Sequence, residues 1–409
     1  MRIMALDLSQ TVQQIDILAQ RLNDGRDDRA QRLRLALRAM SEADASAVRQ
    51  KVDSSQGRPF LCAAPYSNGS GLADSHSPQK VPHDFRVASV DGSHIDVDRH
   101  IPVRCYLINI GGCLITYGGS PDARLFSRPR LYTQDDELYL TNHAPGSKEA
   151  VAVEGPLLGL KRAVEEVKSL ASLVTGTPPG LPALALIDGS LVLWGLAGRA
   201  YQPFVRDEVL KGGLIPALDR LREIARSHTL AAAAYISLPQ STEVVNTLRL
   251  HLCSRDTADC LQNCSTHRAG RTPCDIVNGF LDRHLFQELL GPGERSILYL
   301  TNSSISREFY GPHQVYFYYM NTGEEIARIE VPEWVAQDKE AVELSHALIL
   351  DQCRRGVGYP AAIAEAHEQA VVTGPDRETF KQMLEDALAR KHLPVYTSEK
   401  NRSKRMRWL

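Results

Sequence analysis

Two copies of Asp-Gly-Ser, Asp91-Gly92-Ser93 and Asp188-Gly189-Ser190, each close a short apolar run. The runs are Phe85-Arg86-Val87-Ala88-Ser89-Val90 and Ala183-Leu184-Ala185-Leu186-Ile187, and both have the look of interior strands bounded by a glycine turn. A carboxylate just past such a strand sits at the rim of a sheet, where loops assemble sites on a rigid scaffold. Two carboxylates at one rim suit a divalent cation, because hard cations take oxygen ligands and lone buried carboxylates are costly. Taken singly, each Asp-Gly reads better as a plain turn. The repetition is what argues for a site.

A helix between the two strands carries Lys161-Arg162-Ala163-Val164-Glu165-Glu166-Val167, with Val164, Val167, Ala171 and Val174 as its buried stripe. Glu165 and Glu166 flank that stripe at similar angles, so helix geometry does not choose between them. Both also suit a solvated face beside basic neighbours. Next to two aspartates, a third carboxylate would complete a two-metal site that activates water and stabilises the leaving oxygen of a phosphodiester. Near the C-terminus stands Gly356-Val357-Gly358-Tyr359-Pro360, followed on the same helix by His367. Pro360 suits a first helical turn. Tyr359 could position a nucleophile or strand, and His367 could ligate a cation or meet a phosphate. A helix histidine is also commonly just packed or exposed.

Cys253, Cys260, Cys264 and Cys274 lie close together in the sequence, with His251 and His267 nearby. Four of eight cysteines in one polar segment suit a structural zinc site or an iron–sulfur cluster. The spacing lacks the compact Cys-x2-Cys pairs of zinc ribbons, and unligated thiols are the alternative. Cys62, Cys105, Cys113 and Cys353 are scattered and read as ordinary buried thiols.

These residues must be positioned by a chain of 409 residues, 43% hydrophobic and 23% charged, with a formal net charge of -2. That balance gives no global signature of nucleic-acid binding, so any such surface must be local. No apolar run approaches membrane-spanning length, and the first residues lack a signal-peptide layout, so a cytoplasmic protein is expected. Residues 9–52 carry an apolar helical stripe, including Val12, Ile15, Leu18, Leu22 and Met40, that calls for a neighbour or a second copy. Residues 53–83 read as a linker rich in Ser, Gly and Pro. From Phe85 the pattern is a strand meander, then a helix from about Ser147 to Thr175, the second Asp-Gly-Ser strand, and alternating elements to about Ala389. The tail Lys400–Trp408 is basic. No Gly-x-x-x-x-Gly-Lys-Ser/Thr occurs, so nothing suggests ATP hydrolysis by this chain. The expected class is α/β, with the strand order of a ribonuclease H-like mixed sheet flanked by helices. The expected division is an arm and linker over 1–83, a ribonuclease H-like domain over 84–375 with a cysteine-bearing insertion at 251–280, and a helix with basic tail over 376–409.

The paired Asp-Gly-Ser strands, the intervening Arg-x-x-Glu-Glu helix and the Gly-Tyr-Pro…Ala-His segment together resemble the NurA nucleases. Tyr235–Thr242 and the strand pair over Tyr316–Pro332 add to the likeness, which covers about residues 85–375. The resemblance implies a ribonuclease H-like fold and manganese-dependent (or Mg²⁺-dependent) exo- and endonucleolytic cleavage of single- and double-stranded DNA. It also implies a homodimer working beside a hexameric HerA-type ATPase in end resection, double-strand break repair or phage defence. By position, Asp91, Glu165 or Glu166, Asp188, Tyr359 and His367 would take the active-site roles, with Asp91, Asp188 and His367 at the metal. The rival readings are a non-catalytic nucleic-acid-binding subunit of the same fold and a phosphatase-like hydrolase.

Overall fold

The structure is a computed structural model that describes residues 8–393 apart from 56, 67–68, 70, 97–102, 178–179, 199 and 265–271. The basic tail and His267 lie outside the described residues. The chain forms two compact units. The first holds residues 1–76, 240–291 and 296–299, and the second holds 77–239, 292–295 and 300–409.

The first unit begins with three helices, α1 (Leu8–Asp24), α2 (Arg26–Glu42) and α3 (Ala45–Ser54). Asp44 caps α3 by accepting from the Ala47 amide at 2.8 Å. Ala36, Met40, Val48 and Val52 are buried, and Arg29 and Arg32 lie over the Phe280 ring at 4.7 and 5.5 Å. By contrast α1 buries no residue, and its stripe of Leu8, Val12, Ile15, Leu18 and Leu22 is exposed. Residues 53–83 are more than a linker. They hold a strand, Ala63–Tyr66, whose Ala63 amide donates to Thr247 Oγ1 at 3.0 Å, and Cys62, Ala64 and Leu72 are buried. These short apolar pieces are hidden by the polar average of the stretch around them.

The second unit opens with an antiparallel meander of β1 (Phe85–Ile95), β2 (Tyr106–Tyr117) and β3 (Asp122–Tyr132). A small hairpin follows, β4 (Tyr139–Thr141) with β5 (Ala150–Ala152), and then α4 (Pro156–Thr175). The helix expected from Ser147 therefore starts at Pro156, because β5 takes the residues before it and Pro156 fits only a first turn. Next come β6 (Ala183–Asp188), α5 (Pro203–Val209), a π turn at Leu210–Leu214, α6 (Ile215–Ala225) and β7 (Leu230–Ile236).

The chain returns to the first unit for α7 (Glu243–His251), α8 (Cys260–Asn263), a 3-10 turn at Pro273–Val277 and α9 (Asp282–Leu289). It re-enters the second unit for β8 (Val315–Asn321), β9 (Ile326–Pro332), α10 (Lys339–Arg355), α11 (Ala361–Ala370) and α12 (Gly374–Arg390).

Within the second unit the strands lie in the order β8-β9-β7-β6-β1-β2-β3. β1, β6 and β7 run parallel, and the remaining pairs are antiparallel, so the sheet is mixed. Leu184, Ala185 and Leu186 and the run Leu230–Ala234 are all buried, as parallel strands covered on both faces require. The class is α/β, with helices flanking a mixed sheet. No helix among the described residues is long and apolar enough to cross a membrane.

Candidate active site

Register places the two aspartates side by side. β1 and β6 are parallel, with Val90 opposite Ile187, so Asp91 and Asp188 follow at matched height on adjacent strands. Such residues project from the same face. That face is covered by α11 and the turn before it. His367 Nδ1 lies 2.8 Å from Asp91 Oδ2, and the Tyr359 hydroxyl donates to Asp188 Oδ1 at 2.9 Å. Burial and the neighbouring Asp188 push the Tyr359 phenol far up, so it remains a protonated donor. Burial likewise pushes Asp188 up, and Asp91 adds to the shift against the opposing Tyr359 hydrogen bond.

Glu166 arrives from the other side of the sheet. Gly92 is the next residue on β1, and a Cβ there would fall 2.5 Å from Glu166 Oε1 and 3.0 Å from Arg162 Cγ. Glycine is thus what lets the α4 carboxylate rise beside the strand. Arg162 donates to the Gly92 carbonyl at 2.8 Å, and its Nε lies 3.2 Å from Glu166 Oε1, off the line of a hydrogen bond. Glu166 is buried, and its pKa is pushed up to about 8 by burial, with Asp91 and Asp188 adding to the rise and Arg162 opposing it. Three carboxylates therefore share one electrostatic neighbourhood.

Glu165 stands elsewhere. It pairs with Lys168 at 3.1 Å and lines a cavity of about 60 Å³ with Leu140, Leu157, Lys161 and Val209. The adjacent side chain on the helix is rotated away from β1, so of the two glutamates only Glu166 joins the aspartates.

The seating of α11 is encoded in β1 and β2. A Cβ on Gly111 would collide with the Gln369–Ala370 backbone. Asn109 Nδ2 and Ser93 Oγ both donate to the Ala370 carbonyl, at 2.9 and 2.5 Å. The turn that presents Tyr359 needs Gly356, since a Cβ there would meet the Tyr359 carbonyl oxygen. On the other side, Glu330 holds the second tripeptide. Its Oε2 accepts from Ser190 Oγ at 2.8 Å and Leu191 N at 2.9 Å, and its Oε1 accepts from Arg328 Nε at 2.9 Å. Sequence reasoning missed Glu330 and Arg162. The signal for Glu330 was available, because Arg328 and Glu330 are charged residues within the fully buried run Ile326–Pro332.

The donor set fits a hard divalent cation. It consists of carboxylate oxygens, and Glu166 Oε1 is a buried atom without a hydrogen-bond partner. As the side chains stand, no group of three or more His, Cys, Asp or Glu among the described residues is arranged to hold a metal ion.

Comparison with protein families matches residues 85–372 to the NurA domain. No curated protein matches the chain. The matched span contains every residue of the cluster just described and more than half of the chain, and the family is one of nucleases. The chain belongs to the NurA family.

Proposed function

We propose that the chain is a divalent-metal-dependent deoxyribonuclease whose centre is Asp91, Glu166 and Asp188. The observation that carries this reading is the convergence of three carboxylates on one strand rim, one of them buried with an oxygen that accepts no hydrogen bond, in a chain of a nuclease family. Asp91, Asp188 and Glu166 would hold Mn²⁺ or Mg²⁺. Such an ion supplies charge neutralisation at the scissile phosphate and lowers the pKa of water.

The chain's own groups do the rest. Asp188 accepts from the Tyr359 hydroxyl, which leaves the phenol oxygen to accept from the attacking water. With both ring nitrogens protonated, His367 gives its Nδ1 proton to Asp91 and its Nε2 proton to a phosphate oxygen. Arg162 lies behind Glu166 and limits the repulsion among the carboxylates.

β3 lies two strands from β1, roughly 10 Å away at ordinary strand spacing. Arg128 is exposed on it and lies over the Phe126 ring at 4.4 Å, on the sheet face opposite Asp91, while Arg124 and Arg130 pair with Asp122 and Glu137. Arginine with an aromatic suits a phosphate backbone and stacked bases. The antiparallel meander β3-β2-β1 followed by the parallel strands β6 and β7 supports a ribonuclease H-like fold, which we assign within this proposal. The exposed apolar stripe of α1 supports a homodimer. Work beside a HerA-type ATPase in end resection, repair or phage defence follows from family membership alone.

The test is digestion of end-labelled linear and closed-circular DNA with Mn²⁺, Mg²⁺ or EDTA. Fragments should form with either cation and vanish with EDTA. DNA binding without cleavage under any cation would instead favour a non-catalytic subunit.

A further inference from the structure

The cysteine segment belongs to the first unit, and the nuclease cluster lies wholly in the second. Its four thiols are free, half-buried and drawn from three separate pieces of chain. Two of those pieces are tied to the same helix end. Lys51 near the end of α3 donates to the Cys253 carbonyl at 2.6 Å. One turn on, Ser55 Oγ accepts from the Ala258 amide at 3.2 Å and Gly57 O accepts from the Leu261 amide at 3.0 Å, which fixes α8 beside that end. Within α8 the Cys264 amide donates to the Cys260 carbonyl at 3.0 Å, so both cysteines lie on one side of a single turn. The third piece is the 3-10 turn holding Cys274. It packs on α7, whose end leads into Cys253, and is closed by reciprocal bonds between Thr272 and Asp275.

We propose that Cys253, Cys260, Cys264 and Cys274 together bind one thiolate-held metal centre, zinc or an iron–sulfur cluster, that staples this segment. Four sulfurs in one neighbourhood select soft or borderline metals over Mn²⁺ and Mg²⁺. The segment needs a staple, since α8 buries no residue and, among the described residues from Cys253 to Val277, only Ala258 and Val277 are apolar and buried. The thiols are not closed on a common point as they stand, so loading draws them inward and releases protons.

The test uses the full chain purified without oxygen, with elemental analysis, visible spectroscopy and thiol counting. The expected result is about one zinc per chain, or iron with sulfide and a visible band that bleaches on reduction. Serine at any of the four should lower that content severalfold, whereas Cys105→Ser in the second unit should leave it intact. If a serine variant fails to fold, stripping the metal from wild-type protein should expose four further titrating thiols. Protein with neither metal, a disulfide among the four, or metal retained in the serine variants but lost in Asp91→Asn would each overturn the assignment.

Discussion

The two Asp-Gly-Ser copies are identical in sequence and different in structure. The first lies inside a strand. Asp91, Gly92 and Ser93 continue the pairing of β1 with β2 as far as Ile95, and the glycine is required for space, because Glu166 and Arg162 occupy its side-chain position. The second ends a strand. Gly189 has φ +88, nothing occupies its side-chain position, and it is required for backbone conformation alone. The serines divide in the same way. Ser93 ties down α11, and Ser190 is clamped by the buried Glu330. One tripeptide delivers a carboxylate twice, once by leaving room for a helix on the opposite face and once by turning the chain.

The largest effect expected from this difference falls on the group that only the first copy admits. Glu166→Ala should reduce DNA cleavage about a hundredfold or more, read as initial rate with Mn²⁺. Gly92→Ala should follow at roughly tenfold or more in rate, since the added methyl displaces Glu166. Gly189→Ala should act on stability instead, costing about 1 kcal/mol or somewhat more in denaturant melts. Equal activity losses from the two alanines, at equal stability, would erase the distinction between the two copies.

How far each copy could be read from sequence follows from the same contrast. Strand, aspartate and glycine are local, and both were legible, as were the meander of β1 to β3 and the apolar runs of β6 and β7. The choice between Glu165 and Glu166 was not legible. It depends on which side of α4 meets Gly92, and the stripe of Val164 and Val167 leaves both glutamates at its edge. Glu330 went unread for the related reason that its partners, Ser190 and Leu191, lie far from it in the chain. The strand inside 53–83 was lost because Ala63–Tyr66 is too short to stand out from polar surroundings.

The pH dependence sharpens the account at Glu166. Its carboxyl is held up to about 8, above its unfolded value, so the folded chain keeps a proton that the unfolded chain releases. Its contribution to stability is complete below the ordinary carboxylate range and is lost as pH rises toward about 8. Without metal, Glu166→Gln should therefore gain roughly 1–3 kcal/mol over wild type at pH 8 and lose that advantage toward pH 5. A gain that is constant with pH would mean the wild-type carboxylate is ionised throughout.

Smaller effects separate the serines and the second glutamate. Ser190→Ala and Ser93→Ala should each cost about 1 kcal/mol, the first through the Glu330 clamp and the second through α11. Rescue of stability by Thr at one position and not the other would show that the two anchors differ in the room they leave. Glu165→Ala should stay within about 0.5 kcal/mol and leave cleavage near the wild-type rate, because it gives up only a half-exposed pair with Lys168.

The central claim is that both Asp-Gly-Ser copies deliver a carboxylate to one cleavage centre. The most direct measurement is the Mn²⁺-dependent rate on end-labelled linear DNA for Asp91→Asn and Asp188→Asn, each checked for wild-type folding by circular dichroism. The account predicts that each variant alone loses about a hundredfold or more, and that the double variant loses little further, since the two act as a unit. A folded Asp91→Asn or Asp188→Asn protein that digests DNA at the wild-type rate would contradict it and place the chemistry elsewhere in the chain.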